Sequence, residues 1–131
     1  QGLGDLFVVR VAGSVAASHG IGSIEYAVEH LGSRLVLVMG HERCGAVDAT
    51  LKGGEAHNHI KELIEAIKPA VAKAKGKPGD ALDNAVKANI AMVVEQLKAS
   101  KPTLAEMVST KAVKVVGARY DLDTGKVELI R

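Results

Sequence analysis

Residues 35–39, Leu-Val-Leu-Val-Met, form a run of large apolar side chains that stops at Gly40. The run is short and has no polar alternation. It therefore predicts a strand buried on both faces, over residues 34–39, of the kind found in parallel sheets. The next few residues constrain the chain as strongly. His41 and Cys44 stand three positions apart, and Gly45 opens an expected helix. The tip of a buried strand entering a helix is where open α/β sheets hold their ligands. His41 offers an imidazole nitrogen, and Cys44, the single cysteine of the chain, offers sulfur. Together they make half of a tetrahedral zinc site. The plain alternative is a satisfied histidine beside a small buried thiol, because free cysteine is usually buried and inert.

Three further segments bear on that choice. Leu6-Phe7-Val8-Val9-Arg10-Val11-Ala12-Gly13 reads as a strand over residues 6–12, with its following glycine. Gly22-Ser23-Ile24-Glu25-Tyr26-Ala27-Val28-Glu29-His30-Leu31-Gly32 reads as a helix from Ser23 to Leu31, capped by Ser23 and ended by Gly32. Val115-Val116-Gly117-Ala118-Arg119-Tyr120-Asp121-Leu122-Asp123-Thr124-Gly125-Lys126-Val127 reads as a closing hairpin. In this order, with His-x-x-Cys-Gly between the second and third, they resemble the β-class carbonic anhydrases over nearly the whole chain. The resemblance implies a three-layer α/β fold with a mostly parallel sheet flanked by helices. It implies zinc as cofactor, with His41 and Cys44 as ligands. Gly40 and Gly45 would keep the loop tight, and Arg10, Ala12, Gly13 and Gly45 would border the substrate pocket. The implied reaction is the reversible hydration of carbon dioxide to bicarbonate. Zinc lowers the pKa of bound water to about 7, so hydroxide is available to attack carbon dioxide at neutral pH. The resemblance also implies a homodimer or higher oligomer.

One family motif is missing. Cys-x-Asp-Ser-Arg, which supplies a second zinc cysteine and an Asp-Arg pair, belongs upstream of Leu6, and the chain has no such segment. The expectation is an N-terminally incomplete domain spanning residues 1–131, lacking one strand of its sheet. It would have no catalytic Asp-Arg pair and little activity. Two other readings stay open: a non-catalytic dimerising or metal-binding homologue, and a relative that hydrolyses carbonyl sulfide or carbon disulfide.

The remaining sequence narrows the field. A chain of 131 residues makes one domain. Apolar residues are 47% of it, yet only Phe7, Tyr26 and Tyr120 are aromatic, so the core must be aliphatic. Acids and bases are interspersed around a net charge of +2, with no basic block to mark a nucleic-acid partner. No apolar run approaches the roughly 18 residues of a membrane span. A lone cysteine suits a reducing compartment, and with no targeting segment in view the reading is cytoplasmic.

The rest predicts helices over about 45–51, from Ile60 past Pro69, over 80–99 and over 102–109. Strands are expected after them, at 113–121 and 126–130. Ile60, Leu63, Ile64, Ile67 and Val71 are expected to face inward on the long middle helix, and Val86, Ile90, Val93, Val94 and Leu97 on the next. Other chemical candidates are weaker. Gly20-Ile21-Gly22 opens like a dinucleotide fingerprint but has Glu25 at its third glycine. His19 and His30 suit proton transfer, as surface histidines generally do. His57, His59 and Asp48 are possible extra ligands with no matching motif. A Cys-x5-Arg phosphatase loop is excluded, because Thr50 stands where the arginine should be.

Overall fold

The computed structural model describes residues 1–130. A three-stranded mixed sheet in the order β1-β2-β3 is flanked by five α-helices. Its strands are β1 (Leu35–His41), β2 (Lys114–Tyr120) and β3 (Val127–Ile130). β1 and β2 are parallel, with Val38 opposite Gly117 and His41 opposite Tyr120. β2 and β3 form the antiparallel closing hairpin. The α/β class expected from the sequence holds, on a small sheet that is mixed, with one parallel and one antiparallel pairing.

The helices are α1 (Ser18–His30), α2 (Gly45–Lys52), α3 (Ile60–Ala74), α4 (Ala81–Lys98) and α5 (Thr103–Ser109). α4 is the organising one. Asp80 caps it by accepting the Asp83 amide at 2.6 Å. Ala85, Val86, Asn89, Ile90, Val93, Val94 and Leu97 then recur at helical spacing and are all buried. It packs on β1 and β2, with α3 and α5 against it. Glycines make the close approach possible. A β-carbon on Gly40 would lie 2.7 Å from Ile90 Cδ1, and one on Gly117 would lie 2.8 Å from Ile90 Cγ2. Ile90, itself fully buried, fills the notch that the two glycines leave. α3 passes through Pro69 without ending, because Pro69 is exposed while Ile67 and Ala70 anchor the helix on either side of it. Ile60, at its first turn, is exposed rather than inward.

The N-terminal quarter departs most from expectation. Residues 6–12 do not form a strand. β1 pairs only with β2, so no neighbouring strand offers this segment a ladder, and it runs outside the sheet into a 3-10 turn, Ala12–Ser14. Leu6, Phe7, Val8, Val9 and Val11 stay exposed. α1 starts at Ser18, five residues earlier than the apolar spacing suggested. Ser23 therefore lies inside it and donates to the His19 carbonyl at 2.8 Å instead of capping. Leu31 falls just past its end and is exposed. Leu35 and Leu37 are likewise exposed, because β1 is an edge strand with only one face covered by α4. Among the described residues no helix is long and apolar enough to cross a membrane.

Candidate metal centre

β1 ends at His41, and α2 begins at Gly45, so the loop carrying the two metal candidates lies at the C-terminal edge of the sheet. The His41 ring is partly buried, and its Nδ1 lies 2.8 Å from the backbone oxygen of Glu42. A carbonyl can only accept, so Nδ1 carries the proton and the neutral ring keeps its lone pair on Nε2. That is the arrangement of a metal-ligating histidine whose second nitrogen is fixed by the backbone. Cys44 is buried and takes the N-cap position of α2. Sulfur and imidazole nitrogen suit zinc in chemistry, but they account for two of the three protein ligands that a catalytic zinc normally has.

Between the two candidates, Arg43 adopts a left-handed backbone conformation, φ +52°, uncommon for a side chain of its size. A ring of ion pairs holds the loop there. Arg43 makes a two-pronged pair with Asp123 on the hairpin turn, both contacts 2.8 Å. This pair holds the Asp123 carboxyl below the usual carboxylate range and raises the Arg43 guanidinium. The Glu42 carboxylate accepts the Leu122 amide at 2.8 Å and Arg119 Nη2 at 3.2 Å. Arg119 Nε donates to Asp83 at 2.5 Å, and Asp83 also pairs with Lys87 one turn along α4 at 2.8 Å. Partial burial pushes the Asp83 carboxyl up, but Lys87 and Arg119 outweigh it and hold it below its ordinary value. Asp121 is lowered by the Thr124 hydroxyl and amide, which it accepts at 2.8 and 2.7 Å. The partnerships of Arg43, Glu42 and Arg119 across elements were not legible from local sequence. Arg119 meets residues 36 and 77 positions away, and the Asp-Leu-Asp-Thr-Gly segment signals only a turn.

The other candidates scatter. Gly13 is brought toward the loop: a β-carbon there would lie 3.3 Å from that of Ala46, beside Gly45, and 2.6 Å from Ile67 Cδ1. Ser14 Oγ donates to the Met39 carbonyl at 3.0 Å, and Asn89 Nδ2 to the Gly13 carbonyl at 2.7 Å. The 12–14 turn is thus pinned beside the end of β1. Ala12, Gly45 and Arg10 are exposed. Asp48 is paired with Lys52, and His59 with Glu62. His57 lies exposed in the connector before α3, and His19 and His30 are exposed on α1. Among the described residues, one trio of potential ligand side chains has its donor atoms all within 4.8 Å of one another: Glu42, Asp121 and Asp123. These carboxylates are already engaged by Arg43 and Arg119.

Comparison with known proteins adds to this geometry. The carbonic anhydrase family pattern matches residues 1–127. Carbonic anhydrase 2 of Mycobacterium tuberculosis is 36% identical over 98% of this chain, and the carbonic anhydrase of Mycolicibacterium smegmatis is 35% identical over 98%. The chain spans 64% and 65% of the length of these two relatives. The structure of the Coccomyxa β-carbonic anhydrase in complex with acetazolamide superposes with a TM-score of 0.86 at 28% identity, over 98% of this chain and 62% of that one. One of the tetrameric β-carbonic anhydrases of Sordaria macrospora shares the fold with a TM-score of 0.87 at 21% identity, over 98% of this chain and 70% of that one.

Proposed function

The chain belongs to the β-class carbonic anhydrase family, and on that premise we propose that the reaction its site derives from is the family's zinc-dependent, reversible hydration of carbon dioxide, with His41 and Cys44 as two of the metal's ligands. The observation that carries this reading is the His41 ring, whose Nδ1–H is committed to the Glu42 carbonyl so that Nε2 is left to bind. Cys44 supplies the second donor from the head of α2. Zinc, when bound, would supply the Lewis acidity that brings the pKa of water near 7. The protein's share is to aim the two donors. The β1 tip and the α2 start fix their backbone, and the pinned turn at Gly13 walls the same edge. Arg10, Ala12, Gly13 and Gly45 are proposed to border the carbon dioxide and bicarbonate pocket. Copies of the chain are proposed to associate, because Leu35, Leu37 and Met39 leave one face of the sheet open.

With two matching ligands and without the Asp-Arg pair of the Cys-x-Asp-Ser-Arg motif, the 131 residues alone are proposed to hydrate carbon dioxide near the uncatalysed rate. Loss of oriented donors costs an enzyme much of its advantage. The second reading is a metal-binding or dimerising module without catalysis. A stopped-flow indicator assay of the purified chain with added zinc, controlled with acetazolamide, separates the two. Hydration that is inhibitor-sensitive and abolished by Cys44→Ser supports a working centre completed from elsewhere, such as a second copy. Stoichiometric zinc binding without hydration supports the module. Zinc binding unchanged in Cys44→Ser removes the ligand assignment.

A further inference from the structure

We propose that Arg119 is a positioning residue for the metal loop, acting through Glu42 on the ring of His41; this rests on His41 being a ligand, as proposed for the metal centre. The acceptor that fixes the His41 tautomer is a single main-chain carbonyl, that of Glu42. That carbonyl points where it does because every other part of Glu42 is tied down. Its amide donates to the Tyr120 carbonyl at 3.1 Å. One carboxylate oxygen takes the Leu122 amide, and the other takes Arg119 Nη2. Arg119 is in turn held from behind, its Nε on Asp83 of α4. Its guanidinium spans two elements with two different nitrogens, which a lysine cannot do. The Glu42 and Arg119 side chains are only 13% and 16% exposed, so their attraction is weakly screened. The result is a continuous chain of contacts from the first turn of α4, through Asp83, Arg119 and Glu42, to the nitrogen of His41 that sets which ring atom is free. Outer partners of this kind commonly change metal affinity by about ten- to a hundredfold when removed.

The test uses the 15N-labelled, metal-free chain in mildly alkaline buffer. Long-range 1H–15N spectra should show His41 of the parent as the Nδ1–H tautomer. In Arg119→Met and in Glu42→Gln the ring should move toward the Nε2–H form favoured by a free imidazole. Zinc affinity, read by chelator competition, should fall about tenfold in both and recover in part in Arg119→Lys. Circular dichroism checks that each variant is folded, and Glu42→Gln carries the test where Arg119→Met does not fold. His41 keeping the parent tautomer in a folded variant overturns the proposal. Cys44→Ser tests the underlying assignment separately: it should lose zinc affinity while the His41 tautomer stays as in the parent. Unchanged zinc affinity there would remove the metal reading and leave the tautomer result to decide the role of Arg119.

Discussion

On one face of β1, Val36, Val38 and Gly40 meet α4, whereas Leu35, Leu37 and Met39 on the other keep 58%, 43% and 46% of their surface in solvent. Neither set carries a polar side chain, and the two alternate along residues 35–40 of one strand. What differs is cover. The first face is closed by a helix that the chain itself supplies, down to a glycine notch filled by one isoleucine. Among the described residues, no helix covers the second. Side-chain character therefore records what a strand is suited to contact, while burial records what it contacts within one chain. The ion-pair ring at the β1 tip belongs with the first face, since α4 contributes Asp83 to it.

The largest expected effect falls on the closed face. Ile90→Ala empties the notch at Gly40 and Gly117 and should cost about 2–5 kcal/mol in urea unfolding. A loss under about 1 kcal/mol would mean that α4 does not close this face as tightly as described. A smaller effect should come from acid. The folded-state pKa of Asp83 is depressed, so its contribution is present above the unfolded value of about 3.9 and is lost as pH falls through the folded value. Unfolding midpoints should hold steady above about pH 5 and drop below about pH 4, less steeply in Asp83→Asn. An identical acid slope in that variant would detach the tip network from α4. The smallest effect is expected on the open face. Leu37→Thr should change the stability of the monomer by no more than about 0.5 kcal/mol, while sedimentation shows weaker self-association. A loss above about 2 kcal/mol at a concentration where the chain is monomeric would show the face covered from within, and the contrast would collapse.

Much of this was readable in advance where the signal was local. The period of Val86, Ile90, Val93, Val94 and Leu97 marked α4, and the turn residues at 123–125 marked the hairpin. His41 and Cys44 stood out by type and spacing. The segment at 6–12 misled because strand character in the sequence says nothing of whether a neighbour exists to pair with. α1 began early because small residues such as Ser18 and Gly20 carry no apolar period, yet still continue a helix. Glu42, Arg43, Asp83 and Arg119 were invisible as a group because their meeting is a product of topology.

The glycine notch also works as a gauge. Ile90 seats against Gly40 and Gly117, and Val86 and Val94 of the same helix flank the gap it fills. Asp83 lies seven residues, about 10.5 Å of helix, toward the N-terminus from Ile90. Arg119 lies two residues, about 6.6 Å of strand, beyond Gly117. Both distances run from the same peg toward the same edge of the sheet, and the long Arg119 side chain spans the difference of about 4 Å between them. A slide of α4 by one full turn, about 5.4 Å, would carry Asp83 out of hydrogen-bonding reach. An apolar side chain that touches neither His41 nor Cys44 thereby calibrates the alignment of the charged tip.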